Sequence, residues 1–242
     1  MRILNLEAWY TIAARNICLA EERELDMLTI CNGCNGTLFR VNEDLKMDSK
    51  LRMKINENLK EIGKKIKGII SVRSILRVLY EDVGLDKIKK NVKRPLNDIR
   101  VAVHYGCHIF DELKYYDDVK NPRSLKELVK VLGAEVISTP SEKLCCGSHI
   151  ARCIGKNFSL ELVKEKLNDL ANVDADCLVV ICPYCFSQYD LGQMTLHRKF
   201  KKEFQIPILY YPQLLGLAMG FDVRDMGLEL HKVCIDKLIE KL

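Results

Sequence analysis

The sequence predicts an α/β protein made of two related parallel-sheet domains, the first of them incomplete. Three observations predict it. Short apolar runs of strand length lack polar alternation, as in Cys177-Leu178-Val179-Val180-Ile181, the pattern of strands buried on both faces of a parallel sheet. Stretches with apolar residues at helical spacing stand between those runs. The same order of elements also occurs twice, which reads as an internal duplication.

The first copy opens with a helical segment from about Leu6 to Leu25, carrying Ala13, Ile17 and Ala20 on one face. Asp26-Met27-Leu28-Thr29-Ile30 follows as a strand and ends in Cys31-Asn32-Gly33-Cys34. After a polar helical segment, the β-rich run Ile69-Ile70-Ser71-Val72 leads into an apolar helix through Ile75, Leu76, Val78 and Leu79. A boundary near Arg94-Pro95-Leu96-Asn97 divides the chain into domains 1–96 and 97–242.

The second copy begins with the strand Ile99-Arg100-Val101-Ala102-Val103, whose end carries His104-Tyr105-Gly106-Cys107-His108. It supplies Cys145-Cys146-Gly147, a helix over Leu160–Leu170 and the Cys177–Ile181 strand, which runs into Cys182-Pro183-Tyr184-Cys185. Ile206-Pro207-Ile208-Leu209-Tyr210 then leads into a helix with Leu214, Leu215, Leu217 and Ala218. The first copy holds only the matching back half, because nothing upstream of Leu6 supplies an opening strand or counterparts of Cys107 and Cys145-Cys146. In parallel sheets ligands gather at the carboxyl ends of strands, where Cys31 and Cys182 fall.

Composition narrows the class. Apolar residues make up 48% and charged residues 29% of the 242, as in an ordinary globular chain. No run of 18 apolar residues and no signal peptide are present, so the expected location is the cytoplasm, with membrane attachment only through a partner. The net charge of +5 sits in runs such as Lys64-Lys65 and Lys89-Lys90, which read as solvated helix faces and suit no nucleic-acid partner. Neither a dinucleotide fingerprint, a phosphate loop nor a Ser/His/Asp arrangement occurs, so a flavin or nicotinamide belongs to a partner.

Eleven cysteines are the unusual quantity. Without an export signal, clustered thiols read as metal ligands rather than disulfides. Five of them form the pattern C-x37-C-C-x35-C-x2-C, from Cys107 through Cys145 and Cys146 to Cys182 and Cys185. Iron in sulfide clusters takes thiolate ligands, and five exceed the four that a zinc site or an ordinary cubane cluster needs. An atypical iron–sulfur cluster used in electron transfer is therefore expected. Cys31 and Cys34 are candidate ligands of the first copy, and His104, His108 and His149 flank the five thiols as candidates for proton handling and sulfur hydrogen bonds. Cys18, Cys153, Cys177 and Cys234 read as packing, the last in a terminal helix; His197 and His231 read as surface residues.

These residues carry a resemblance. Thr11-Ile12-Ala13-Ala14-Arg15-Asn16, Thr29-Ile30-Cys31-Asn32-Gly33-Cys34, Val103-His104-Tyr105-Gly106-Cys107-His108, Cys145-Cys146-Gly147, Cys182-Pro183-Tyr184-Cys185 and Gln213-Leu214-Leu215-Gly216-Leu217-Ala218-Met219 resemble the B subunits of the methanogen CoB–CoM heterodisulfide reductases, built from two CCG domains. The resemblance implies a noncubane [4Fe–4S] cluster on Cys107, Cys145, Cys146, Cys182 and Cys185, with Cys31 and Cys34 the surviving pair of a first cluster. It implies reduction of the mixed disulfide of coenzyme M and coenzyme B to two thiols, in methanogenesis. Electrons would originate at the A subunit of heterodisulfide reductase, which carries flavin and iron–sulfur centres, and arrive through its iron–sulfur C subunit. The chain departs from the family pattern by lacking the N-terminal segment with the first cysteine and first Cys-Cys pair, so its start is expected to be internal to a longer gene. It also departs in Ser148-His149, where the family is richer in glycine.

Two other functions fit parts of the pattern. One is a CCG-domain electron-transfer subunit of another oxidoreductase, of glycolate or lactate oxidation type or succinate–quinone type. The other is a non-catalytic assembly subunit whose Cys-x-x-Cys pairs bind structural zinc.

Overall fold

In the computed structural model, which describes residues 4–241, helices and parallel strands alternate along the chain. The order begins α1 (Leu6–Glu21), β1 (Met27–Thr29), α2 (Asn32–Met47), α3 (Ser49–Lys60), β2 (Val72–Ser74), α4 (Ile75–Arg77) and α5 (Leu85–Asn91). It continues through β3 (Arg100–His104), α6 (Phe110–Leu113), α7 (Ser124–Lys130), β4 (Glu135–Ile137), α8 (Ser148–Cys153) and α9 (Lys156–Asn172). The remaining elements are β5 (Cys177–Val180), α10 (Pro183–Phe200), β6 (Ile208–Tyr210), α11 (Tyr211–Ala218) and α12 (Asp236–Ile239).

Two compact units emerge: the chain up to Ile75 together with His108–Tyr116, and Leu76–Cys107 together with the chain from Asp117 onward. They do not coincide with the sequence copies 1–96 and 97–242. One difference is the stretch from Leu76, tied into the second unit by the Tyr80 hydroxyl donating to Glu127 at 2.7 Å; the other is α6, whose fully buried Glu112 accepts hydrogen bonds from Asn35 Nδ2 at 2.7 Å and from the Ser74 N–H at 3.1 Å. Those two groups belong to the first unit, so α6 is held there.

In the first unit, the Asn5 side chain caps α1 by accepting from the Ala8 N–H at 2.9 Å. Trp9, Ala13, Ile17 and Cys18 of α1 then pack with Leu45 of α2 and with Ile55 and Leu59 of α3. β1 and β2 pair in parallel from Met27 opposite Val72 to Thr29 opposite Ser74. The strand expected at Ile69–Val72 starts only at Val72. Glu21 takes the N–H groups of Lys67, Gly68 and Ile69, and Asp26 takes that of Ser71, so these peptides are withdrawn from the ladder.

The second unit holds a four-stranded parallel sheet in the order β4-β3-β5-β6. Val101–His104 of β3 and all of β5 are buried, as their unbroken apolar runs require. The chain steps from β3 to β4 on one side and then returns to place β5 on the other. That reversal opens a crevice at the carboxyl ends of β3 and β5. β4 and α8 have no counterpart in the sequence expectations; three and six residues long, they carry too little apolar pattern. The helix expected through Ile75–Leu79 is instead the short α4 and a wider π-helical turn at Val78–Val83, ended by Gly84 at φ +79°. Among the described residues no helix is long and apolar enough to cross a membrane.

Candidate metal centre

The crevice gathers the cysteines. Gly106, at φ +75°, turns the chain beyond β3 so that Cys107 follows at once. Cys182 comes one residue beyond β5 as the N-cap of α10, Pro183 opens the helix and Cys185 lies in its first turn. Cys145 and Cys146 arrive on the segment beyond β4 and are followed by Gly147 at φ +80°. A side chain at Gly147 would put a Cβ 2.8 Å from Ser159 Oγ, so both the backbone sign and the close approach to α9 require glycine.

Cys107 Sγ lies 3.7 Å from Cys145 Sγ. From there the thiols touch in succession, Cys145 with Cys146, Cys146 with Cys185 and Cys185 with Cys182. All five residues of the spaced pattern are thus brought together inside the second unit. Among the described residues, no three His, Cys, Asp or Glu side chains are arranged around one point for a metal ion; the thiols form a row instead.

Such a row cannot ionise throughout. Cys145 is held well below the ordinary thiol range because Cys107, then Cys146, donates an S–H to it, with the Gly147 N–H 3.4 Å away. The same bonds keep the proton on Cys107 and push Cys146 up to about 11. Cys185 is raised by its contacts with Cys146 and Cys182 and by burial. Exposure is graded along the row: Cys146, Cys182 and Cys185 are buried, Cys145 is half-buried and Cys107 is exposed. The centre therefore has a closed wall and an open side.

Two polar groups at this wall lack protein partners. His104 is 0% exposed, and neither ring nitrogen has a hydrogen bond; the Tyr189 hydroxyl is buried and likewise without one. The two rings meet edge to face, with centroids 5.1 Å apart. Burial, reinforced by Lys166, lowers the His104 pKa to about 3, and burial raises that of Tyr189 well above its ordinary value. Both groups stand in the field of the thiols, His104 of Cys182 and Cys145, Tyr189 of Cys185 and Cys146. Orphaned polar groups beside a row of five thiols fit a bound group rich in acceptor sulfur. Of the two roles the sequence suggested for His104, a ring shut off from solvent suits hydrogen bonding to sulfur better than proton exchange.

The other expected residues are dispersed. His149 is exposed in the first turn of α8, its ring 5.7 Å from that of Tyr184, whereas His108 is exposed and packs with the first unit. Cys31 and Cys34 also lie in the first unit, half-buried and exposed. Cys31 caps α2 at φ −133°, ψ 123°, close to the φ −138°, ψ 125° of Cys182 at α10. Cys18 and Cys177 are buried, as packing residues should be. Cys153 and Cys234 are not: both are exposed, and Cys234 precedes α12, its thiol 3.1 Å from the Asp236 carboxylate. His197 is exposed beside Glu203 at 3.3 Å. His231 is no surface residue; it is half-buried against Phe186 and bonded to Gln213 at 3.0 Å.

Sequence reasoning passed over Tyr189 and Lys166. Each had a signal, a polar side chain in an apolar helical stripe: Lys166 between Val163, Leu167 and Leu170, and Tyr189 between Cys185 and Leu196.

A family model for the cysteine-rich CCG domain matches residues 101–190, the stretch that carries all five thiols. The B subunit of the ferredoxin:CoB–CoM heterodisulfide reductase of Methanosarcina mazei is 39% identical over 228 residues, covering 93% of this chain and 76% of its own length. The chain belongs to the family of heterodisulfide reductase B subunits. Another protein similar to this B-type chain, the 8-methylmenaquinol:fumarate reductase membrane anchor subunit of Wolinella succinogenes, is 34% identical over 227 residues, covering 93% of this chain and 78% of its own. In fold, the B-type chain is similar to a hypothetical protein from Helicobacter pylori, with a TM-score of 0.76 at 14% identity. That match takes in 96% of this chain but spans only 43% of the solved one.

Proposed function

We propose that Cys107, Cys145, Cys146, Cys182 and Cys185 hold an iron–sulfur cluster, a noncubane [4Fe–4S] centre, and that the chain is the catalytic disulfide-reducing subunit of a heterodisulfide reductase. The observation that carries this reading is the row of five thiols in one crevice, open only at Cys107 and Cys145. The substrate is the mixed disulfide of coenzyme M and coenzyme B, which with two electrons and two protons gives two thiols. The A and C subunits of the complex supply the electrons.

A cluster held there would supply electrons singly and a site for substrate sulfur. The chain does the rest. Cys146, Cys182 and Cys185 form the dry wall, and the unpartnered Tyr189 hydroxyl and a His104 ring N–H would be the donors to sulfur of a group held there. Substrate approaches the exposed Cys107 side; His149, exposed in the first turn of α8 after Gly147, is assigned the return of protons to the departing thiolates.

The first copy, 1–96, is read as the back half of a second such domain. In support, β1 and β2 repeat the parallel pairing of β5 and β6, and Cys31 repeats the cap geometry of Cys182. Cys31 and Cys34 would be the ligands it contributes.

A second reading, an electron-transfer subunit of another oxidoreductase, is favoured by the kinship with the fumarate reductase protein. Iron, acid-labile sulfide and zinc per chain, measured after anaerobic expression with and without Cys145→Ser, test the centre: about four irons with matching sulfide, lost in the variant, are expected. Zinc without sulfide would refute it. Thiol release from the heterodisulfide by the assembled complex separates the two redox readings.

A further inference from the structure

Lys166 stands on the inner face of α9 among Val163, Leu167 and Leu170, with 0% exposure. Its Nζ donates to Thr139 Oγ1 at 3.0 Å and to the Ser141 carbonyl at 3.3 Å, and reaches the Val103 carbonyl at 3.5 Å. None of these acceptors is charged. The neighbouring carboxylates are engaged elsewhere, Glu142 with Lys126 at 2.8 Å and Asp169 with the Ser141 N–H at 3.1 Å. Methionine or leucine would fill the same stripe without the desolvation that a buried ammonium suffers. Shape alone does not call for a lysine here.

Its partners give the position meaning. Val103 is the penultimate residue of β3, just ahead of the turn to Cys107, and Thr139 and Ser141 lead into Cys145 and Cys146. The lysine therefore ties together the two segments that set the 3.7 Å approach of Cys107 to Cys145. His104, next to Val103, feels the charges of both Lys166 and the thiols Cys182 and Cys145. In so dry a place a fixed charge acts with little screening.

We propose that Lys166 is a positioning and tuning residue of the centre: its ammonium fixes the end of β3 to the segment delivering Cys145 and Cys146, and its buried positive charge favours reduction of the group those thiols hold. This rests on the iron–sulfur reading above. Although burial lowers its pKa to about 8, the ammonium persists at pH 7.

The test is an anaerobic redox titration at pH 7, followed by electron paramagnetic resonance, on the full chain loaded with iron and sulfide, as wild type, Lys166→Met and Asp169→Asn. With metal content equal to wild type, Lys166→Met shifts the one-electron equilibrium at least tenfold toward the oxidised form, which is about 59 mV. Asp169→Asn keeps an acceptor for Ser141 and removes an opposing charge, so its potential moves the other way. Unchanged potentials in both variants overturn the proposal; loss of iron in Lys166→Met with an unchanged potential in Asp169→Asn supports the positioning role and overturns the tuning one. A wild-type chain that takes up no iron and sulfide overturns the cluster reading, and this inference with it.

Discussion

The sulfurs of Cys107 and Cys145 lie 3.7 Å apart across 38 residues of chain, and Gly147, whose N–H is 3.4 Å from Cys145 Sγ, packs the segment that follows them against Ser159. Gly147→Ala forces a side chain into φ +80° and against Ser159, which is expected to lower stability by about 1–3 kcal/mol. Iron uptake should fall with it. Urea unfolding of the metal-free chain and iron content after reconstitution check both, and a variant matching wild type in each would remove the structural role given to Gly147.

Tyr189→Phe separates the metal-free protein from the loaded one. The buried hydroxyl has no protein partner, so removing it is expected to leave the metal-free chain as stable or about 1 kcal/mol more stable. In the loaded chain the same change deletes a hydrogen bond to sulfur, and the reduction potential is expected to fall. Thermal melts and a redox titration read the two effects. Destabilisation of the metal-free chain would mean that the hydroxyl is already satisfied.

Glu112 joins Asn35 and Ser74 within the first unit, and all three are buried. Glu112→Ala removes the acceptor that both donors share and is expected to cost roughly 3 kcal/mol locally. Amide hydrogen exchange should quicken in α2, β2 and α6 while β3 and β5 keep their protection. Uniform protection loss across both sheets would show that the two units do not open independently.

The pH dependence of stability follows from Lys166, whose folded pKa is about 8 against an ordinary 10.5. Between those values the unfolded chain binds a proton that the folded chain has released, so stability rises with pH across that window and is flat below it. Relative to Lys166→Met, the metal-free wild type should gain roughly 3 kcal/mol between pH 8 and 10.5. Paired urea titrations at about pH 7 and about pH 10 check this; a constant difference would place the lysine in a wetter setting than its burial indicates.

Much of this was legible in the residues. The unbroken apolar runs at Cys177–Ile181 and Ile99–Val103 announced buried parallel strands, since nothing but a sheet covered on both faces accommodates them. The C-x37-C-C-x35-C-x2-C spacing singled out the five thiols that the fold gathers into one row, and the helix from Leu6 was legible from its apolar face. β4, α8 and the late start of β2 were not legible. Their positions depend on partners distant in sequence, such as Glu21 capturing the peptides before Val72.

The α/β class with parallel strands and the family of the chain could be read before any coordinates, because strand burial and motif spacing are written in local sequence. Tertiary packing alone set the strand order β4-β3-β5-β6, which brings Cys107 beside Cys145 and Cys182 into the same crevice. It also made His104 a dry, neutral ring, drew α6 into the first unit through Glu112, and stood Lys166 beneath the segments carrying the thiols. Periodicity tells a helix which face to bury; it does not tell a lysine on that face which carbonyls will meet it. That is settled by the long-range packing of strands and helices far apart in the chain.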